Sequence, residues 1–198
     1  MPSLGPYFLA KKLKQEGGLT LWRGRDADRP VLVLVAGEGG LTPLARSRLE
    51  HEYALRAELD PHWAMRPTAW TLLEGRNALI YDDAGGDLLE QEIGRPMEPV
   101  HFLTLAIALA DALSLVHAGG LVHKDIKPTN VLIDESNRAH FTGFGIASRI
   151  PREYQAPVAA DVIAGTLAYM APEQTGRMNR SVDSRSDLYA LGVTYYQL

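Results

Sequence analysis

Residues 123–130 read His-Lys-Asp-Ile-Lys-Pro-Thr-Asn, set between the apolar pairs Leu121-Val122 and Val131-Leu132. The spacing gathers a carboxylate (Asp125), an ammonium (Lys127) and an amide (Asn130) into one short loop. A carboxylate within hydrogen-bond reach of an acceptor hydroxyl orients it and takes its proton, while a neighbouring cation offsets charge on a transferring phosphoryl group. An amide oxygen suits magnesium, a hard cation that takes oxygen ligands. These are the parts of a phosphoryl-transfer centre. The blander reading is a polar turn between apolar segments, which an octapeptide carrying all three groups at this spacing disfavours.

Upstream of this loop the first third of the chain reads as a strand-rich unit. Residues 7–15 and 19–25 form paired strands around Glu16-Gly17-Gly18, whose glycines suit a tight turn, and 31–36 is an aliphatic run suited to a buried strand. Thr42-Pro43 supplies a cap and first-turn proline for a helix expected to run to about residue 60. Residues 69–73 and 78–81 add two strands, and 82–87 form a connector in which Gly85-Gly86 permit flexure. Phe102, Ile107, Leu109, Leu113 and Val116 are apolar positions of a core helix ending at Gly119-Gly120. Residues 131–133 and 139–142 pair across 134–138, and Gly143-Phe144-Gly145 follows.

Composition narrows the classes. A chain of 198 residues with 46% hydrophobic and 22% charged residues is an ordinary globular composition, able to form one domain or two small lobes around a cleft. The net charge of −4 argues against nucleic acid or an anionic membrane as partner. With no cysteine, disulfides, thiolate–zinc sites and cysteine nucleophiles are excluded within the chain. The expected setting is cytoplasmic: the N-terminus lacks a secretory pattern, and the apolar stretch 102–116, broken by Asp111, is too short to cross a bilayer. The six histidines show no metal-site spacing, and His117 and His140 read as surface or interface residues.

The loop at 123–130 resembles the catalytic loop of protein kinases, its Lys-Pro pair the Ser/Thr-specific version. Gly165 to Glu173, ending in Ala-Pro-Glu, resembles the end of an activation segment, and Ser186 to Val193 the start of the central C-lobe helix. The resemblance implies an α+β bilobal protein-kinase-like fold: a strand-rich N-lobe (1–81), a connector (82–87) and a helical C-lobe (88–198) truncated within its central helix. It implies ATP and magnesium as cofactors and a protein substrate or partner domain. Asp125 would orient the acceptor hydroxyl, Lys127 stabilise the transferred phosphoryl and Asn130 hold metal. Gly17 and Gly18 would be the remnant of the phosphate loop, and Gly143 stands where the metal-binding aspartate belongs. Glu52 would be the helix glutamate, His123 a structural residue, and Phe144 the centre of the Gly-Phe-Gly. Lys124 replaces an arginine that in many kinases pairs with a phosphorylated residue. Thr166 would pack on the catalytic loop, Glu173 lacks its downstream arginine, and Asp187 would brace the loop. More narrowly, residues 51–55 and 171–180 resemble a bacterial group in which such a domain begins a large multidomain sensor histidine kinase.

Three elements depart from the family pattern. Position 143 is glycine, the run 30–35 has Leu34 near the place of the phosphate-gripping lysine, and the glycine-rich loop is reduced to Gly17-Gly18 beside Glu16, a carboxylate that would repel phosphate. Lys12, Lys14, Arg23 and Arg25 read as solvated strand residues, with replacement of the missing lysine as the alternative. Asp134 and Asp161 read as turn and segment residues rather than substitute metal ligands. No Ser or Thr lies between Arg149 and Gly165, so switching is expected not to depend on Ser/Thr phosphorylation there. Three readings stay open: a kinase weakened on its ATP side, a pseudokinase acting as a regulatory or scaffolding module, and a small-molecule phosphotransferase, which the Ala-Pro-Glu segment disfavours. The stripe Leu188, Leu191, Tyr195 and Leu198 is expected to face helices beyond residue 198, as in an N-terminal piece of a longer signalling protein that associates when alone.

Overall fold

The computed structural model describes residues 3–149, 165–176 and 181–198. Tyr154 and Asp161 lie outside them. Six antiparallel strands form one sheet in the order β1-β2-β3-β4-β6-β5: β1 Ser3–Leu4, β2 Tyr7–Glu16, β3 Leu19–Asp26, β4 Arg29–Ala36, β5 Pro67–Leu73 and β6 Arg76–Asp82. Gly17 and Gly18 both take positive φ, +59° and +78°, to turn β2 into β3. β4 is buried on both faces, as its aliphatic run requires. Val31, Val33 and Val35 pack outward with Leu9 and Ile80, while Leu32 packs inward with Leu21, Leu79 and Tyr81.

Helix α1 (Pro43–Ala54) lies under the inner face, started by Thr42, whose Oγ1 accepts from the amide of Ala45 at 3.1 Å. It ends at Ala54 and a 3-10 turn, Leu55–Ala57, follows, so the helix stops short of residue 60. Asp60 disfavours helical continuation because Pro61 follows it, and its carboxylate instead accepts from the amide of His62 at 2.9 Å.

The helical part contains α2 (Pro99–Ala118) and α3 (Ser184–Gln197), with short strands β7 (Asp87–Leu88), β8 (Leu121–Val122), β9 (Val131–Ile133), β10 (Ala139–Phe141) and β11 (Ser148–Arg149). β10-β9-β7 form one small sheet and β11-β8 another, which hold the 123–130 loop at the floor of the cleft. The molecule is therefore bilobal, a sheet lobe over a helical lobe. At the junction Gly86 (φ +73°) is required by close approach rather than flexure, since a Cβ there would lie 1.7 Å from the carbonyl oxygen of Ile133.

Two sequence expectations shift in the helical part. α2 is 20 residues long and, by length and composition, passes as a membrane span, but its buried face of Leu105, Leu109, Ala112, Leu113 and Val116 fills the lobe core. Ile107 points away from that core, 61% exposed, because it lies off the 3.6-residue phase of the buried set. In α3, Leu191, Tyr195 and Leu198 pack toward the α2 core, Tyr195 donating to the carbonyl of Ala106 at 2.6 Å, whereas Leu188 is exposed. The stripe is thus largely covered by α2 rather than left for later helices.

Candidate functional site

The catalytic-type loop is fixed from below by one buried carboxylate. Asp187, on the first turn of α3, accepts from the amides of His123 (2.8 Å) and Lys124 (2.7 Å), which holds Lys124 at φ +70°. His117 on α2 meets the same carboxylate at 2.9 Å, so it is part of the brace and not a surface residue. His123 is buried between Phe141 and Phe144. Its Nδ1 accepts from the amide of Asp125 at 3.2 Å, which leaves Nε2 to donate to the carbonyl of Thr142 at 3.1 Å. Burial pulls its pKa down despite the nearby Asp187 and Asp125, so it is a neutral structural ring. Phe144 also meets Trp63 edge-on, at 6.2 Å between centroids.

On this platform the polar groups converge. Asp125 Oδ1 accepts from the amide of Thr166 at 3.0 Å and Oδ2 from Asn130 Nδ2 at 2.9 Å. Lys127, buried, donates to Thr166 Oγ1 at 2.6 Å and to Glu16 Oε1 at 2.5 Å, with Asp125 Oδ2 3.7 Å away. Glu16, at the end of β2, therefore ties the sheet lobe to the loop. Lys14 crosses the cleft beside it and donates to Asn130 Oδ1 (2.7 Å) and to the carbonyl of Thr129 (2.8 Å). It is not a solvated strand residue: burial lowers its pKa to about 8, against the opposing pull of Glu16, Glu52 and Asp125. Of the other strand cations, Lys12 and Arg25 are exposed, and Arg23 grips Asp83 of the connector at 2.5 Å.

Backbone register explains Lys14. Bulges after Leu9 and after Lys12 break the alternation of β2, so that Lys12 pairs with Trp22 on the outer face while Lys14 pairs with Leu21 on the cleft face. An unbroken strand would put both lysines on one side.

Glu52 on α1 is buried and reaches two neutral donors, Tyr81 Oη at 3.0 Å and the amide of Gly143 at 3.3 Å. Burial raises its pKa and raises that of Tyr81 well above its ordinary value, so the phenol keeps its proton and donates. Tyr81 escaped the sequence reading; the available signal was a phenol within an otherwise aliphatic strand, whose hydroxyl needs a partner once buried. Leu34 lines the cleft with Leu19 and Leu21. Glu173 accepts from Ser186 Oγ at 2.6 Å.

His140 and Asp134 belong to the fold. His140 is buried, bonded to the carbonyl of Pro61 (3.0 Å) and to Asp134 (3.2 Å); Asp134 also accepts from the amides of Ser136 and Arg138 and closes the β9–β10 turn.

The cleft encloses about 520 Å³ beneath the Gly17 turn. Its apolar wall and the two ammonium groups on its floor fit a nucleotide polyphosphate. A divalent metal does not fit. Gly143 offers no ligand, Asn130 Oδ1 is occupied by Lys14, and among the described residues no group of three acidic or histidine side chains is placed to hold an ion.

Comparison with known proteins bears on the same residues. The family model for the protein kinase domain matches residues 75–198, more than half the chain. Serine/threonine-protein kinase PknL of Mycobacterium tuberculosis is 32% identical over 200 residues, covering 97% of this chain and 48% of that protein. Serine/threonine-protein kinase Pkn1 of Myxococcus xanthus is 39% identical over 127 residues, 62% of this chain and 18% of that protein. PknB of Mycobacterium leprae is 37% identical over 103 residues, 52% and 16% respectively. The chain thus spans about half the length, or less, of these curated relatives.

Proposed function

The chain belongs to the protein kinase family, and from that premise we propose that it is a Ser/Thr-type domain of bacterial signal transduction that transfers phosphoryl from ATP to a protein hydroxyl at reduced rate. The observation that carries this reading is the convergence of Asp125, Lys127 and Thr166 at the cleft floor. Asp125 orients the incoming hydroxyl and takes its proton as the new O–P bond forms; Lys127, released from Glu16, faces the transferring group; the nucleoside diphosphate leaves. The rate is low because β4 carries no lysine and position 143 no carboxylate on the nucleotide side.

The greater length of the relatives, and the resemblance to the start of large sensor histidine kinases, support a role as one domain of a longer cytoplasmic signalling protein. One observation favours a second reading, a regulatory or scaffolding pseudokinase: Lys14–Asn130 and Glu16–Lys127 already satisfy the loop's polar groups from within the protein.

Transfer of labelled phosphate from ATP to the chain itself or to a generic basic protein separates the two. Transfer that Asp125→Asn lowers by about a hundredfold or more supports the enzyme. Nucleotide binding with no transfer above the Asp125→Asn level supports the scaffold.

A further inference from the structure

We propose that the Lys14 ammonium stands where a divalent cation would bind, so that this cleft holds nucleotide polyphosphate without magnesium. The inference rests on the reading of the cleft as a nucleotide site.

Lys14 occupies Asn130 Oδ1 at 2.7 Å, the amide oxygen that would ligate an ion, and the carbonyl of Thr129 at 2.8 Å, while the neighbouring Asp125 carboxylate is already engaged by the Thr166 amide and Asn130 Nδ2. The Asn130 amide cannot turn its oxygen elsewhere. Its Nδ2 is committed to both the backbone oxygen and Oδ2 of Asp125, each at 2.9 Å. A metal arriving at Oδ1 must therefore displace an ammonium and then sit beside it as a like charge.

The opposite side of the site offers no compensation. Gly143 has φ +83°, and a Cβ on it would already lie 3.0–3.2 Å from the Asn130 amide, so the backbone has closed over the space from which a second ligand would enter. An ammonium needs neither a coordination sphere nor a second carboxylate. It has three donors, two of them used here, and a phosphate oxygen is a strong acceptor for the third. Lys127 alongside adds a second ammonium at the cleft floor once its bond to Glu16 is given up.

The placement is built into β2. The irregular register after Lys12 turns Lys14 onto the cleft face and leaves Lys12 outside, so the bulge creates the cation site.

ATP binding by the full chain, followed by calorimetry in EDTA and in excess magnesium, tests this directly. Wild type is expected to bind at least as tightly in EDTA as in magnesium. Lys14→Met should weaken binding in EDTA by about tenfold or more, and Lys14→Arg, which keeps the charge, should retain most of it. Thermal melting of the free variants, expected to stay cooperative as in wild type, is the check that both are folded. Magnesium that tightens wild-type binding about tenfold, or Lys14→Met that binds as wild type does in EDTA, overturns the inference and leaves the nucleotide reading standing. Absence of ATP binding under both conditions overturns both.

Discussion

At the scale of single residues, Asp134 shows a carboxylate recruited for architecture. Burial alone would raise its pKa, but hydrogen bonds from the Arg138 amide, His140, the Ser136 amide and the Arg138 guanidinium outweigh it and hold the value at about 2. Because the folded value lies below that of an unfolded aspartate, the ionised group stabilises the fold above about pH 4, and this contribution is lost as pH falls toward 2. Asp134→Asn should therefore cost about 1–2 kcal/mol at neutral pH, allowing for solvent near the turn, and the gap to wild type should narrow below about pH 4. Urea melts of both proteins across that range check the sign; a gap that stays constant in acid contradicts it. Asp187 is likewise architectural, accepting from two backbone amides, so the loop above it keeps its shape without help from a ligand.

At the scale of elements, close approach decides what a glycine is for. Gly85 (φ +81°) has open space around its Cβ position, so Gly85→Ala should cost about 1–2 kcal/mol from the left-handed conformation alone. Gly86→Ala adds a collision with the β9 backbone and should cost about 3 kcal/mol or more; equal melting temperatures for the two variants would refute the distinction. The β2–β3 turn, the buried β4 and the Thr42-Pro43 helix start were legible because turn glycines, aliphatic runs and caps are local signals. The loop at 123–130 was legible for the same reason, its groups being contiguous. Lys14 was not, because a single extra residue in β2 exchanges the faces of the strand, and nothing in the local pattern marks where that residue falls. His117 was missed because its partner lies 70 residues away in sequence, and His140 because its contact to Pro61 spans 79.

At the scale of the whole molecule, one apolar cluster fills the helical lobe, another backs the outer face of the sheet, and a third joins Leu32 and Tyr81 of the sheet to Leu88 and Leu132 below. The lobes are thus stitched by apolar contact near the connector and by the Glu16–Lys127 ion pair at the floor of the cleft. The phase of α2 within this arrangement is testable. Leu109→Ala should cost about 2–5 kcal/mol, whereas Ile107→Ala should stay within about 0.5 kcal/mol, and similar losses in chemical denaturation would put the helix in a different rotation. The attachment of α1 bears on how such a molecule is governed. In kinases the glutamate of this helix pairs with a strand lysine, and control acts by making or breaking that pair. Here Glu52 is fastened to a phenol in the sheet and to the Gly143 amide, His51 is bonded to the carbonyl of Ala147 at 2.7 Å, and β4 presents only Leu34. Swinging α1 outward would leave the buried Tyr81 hydroxyl without its acceptor and release no cation, so the helix is built as a strut instead of a lever.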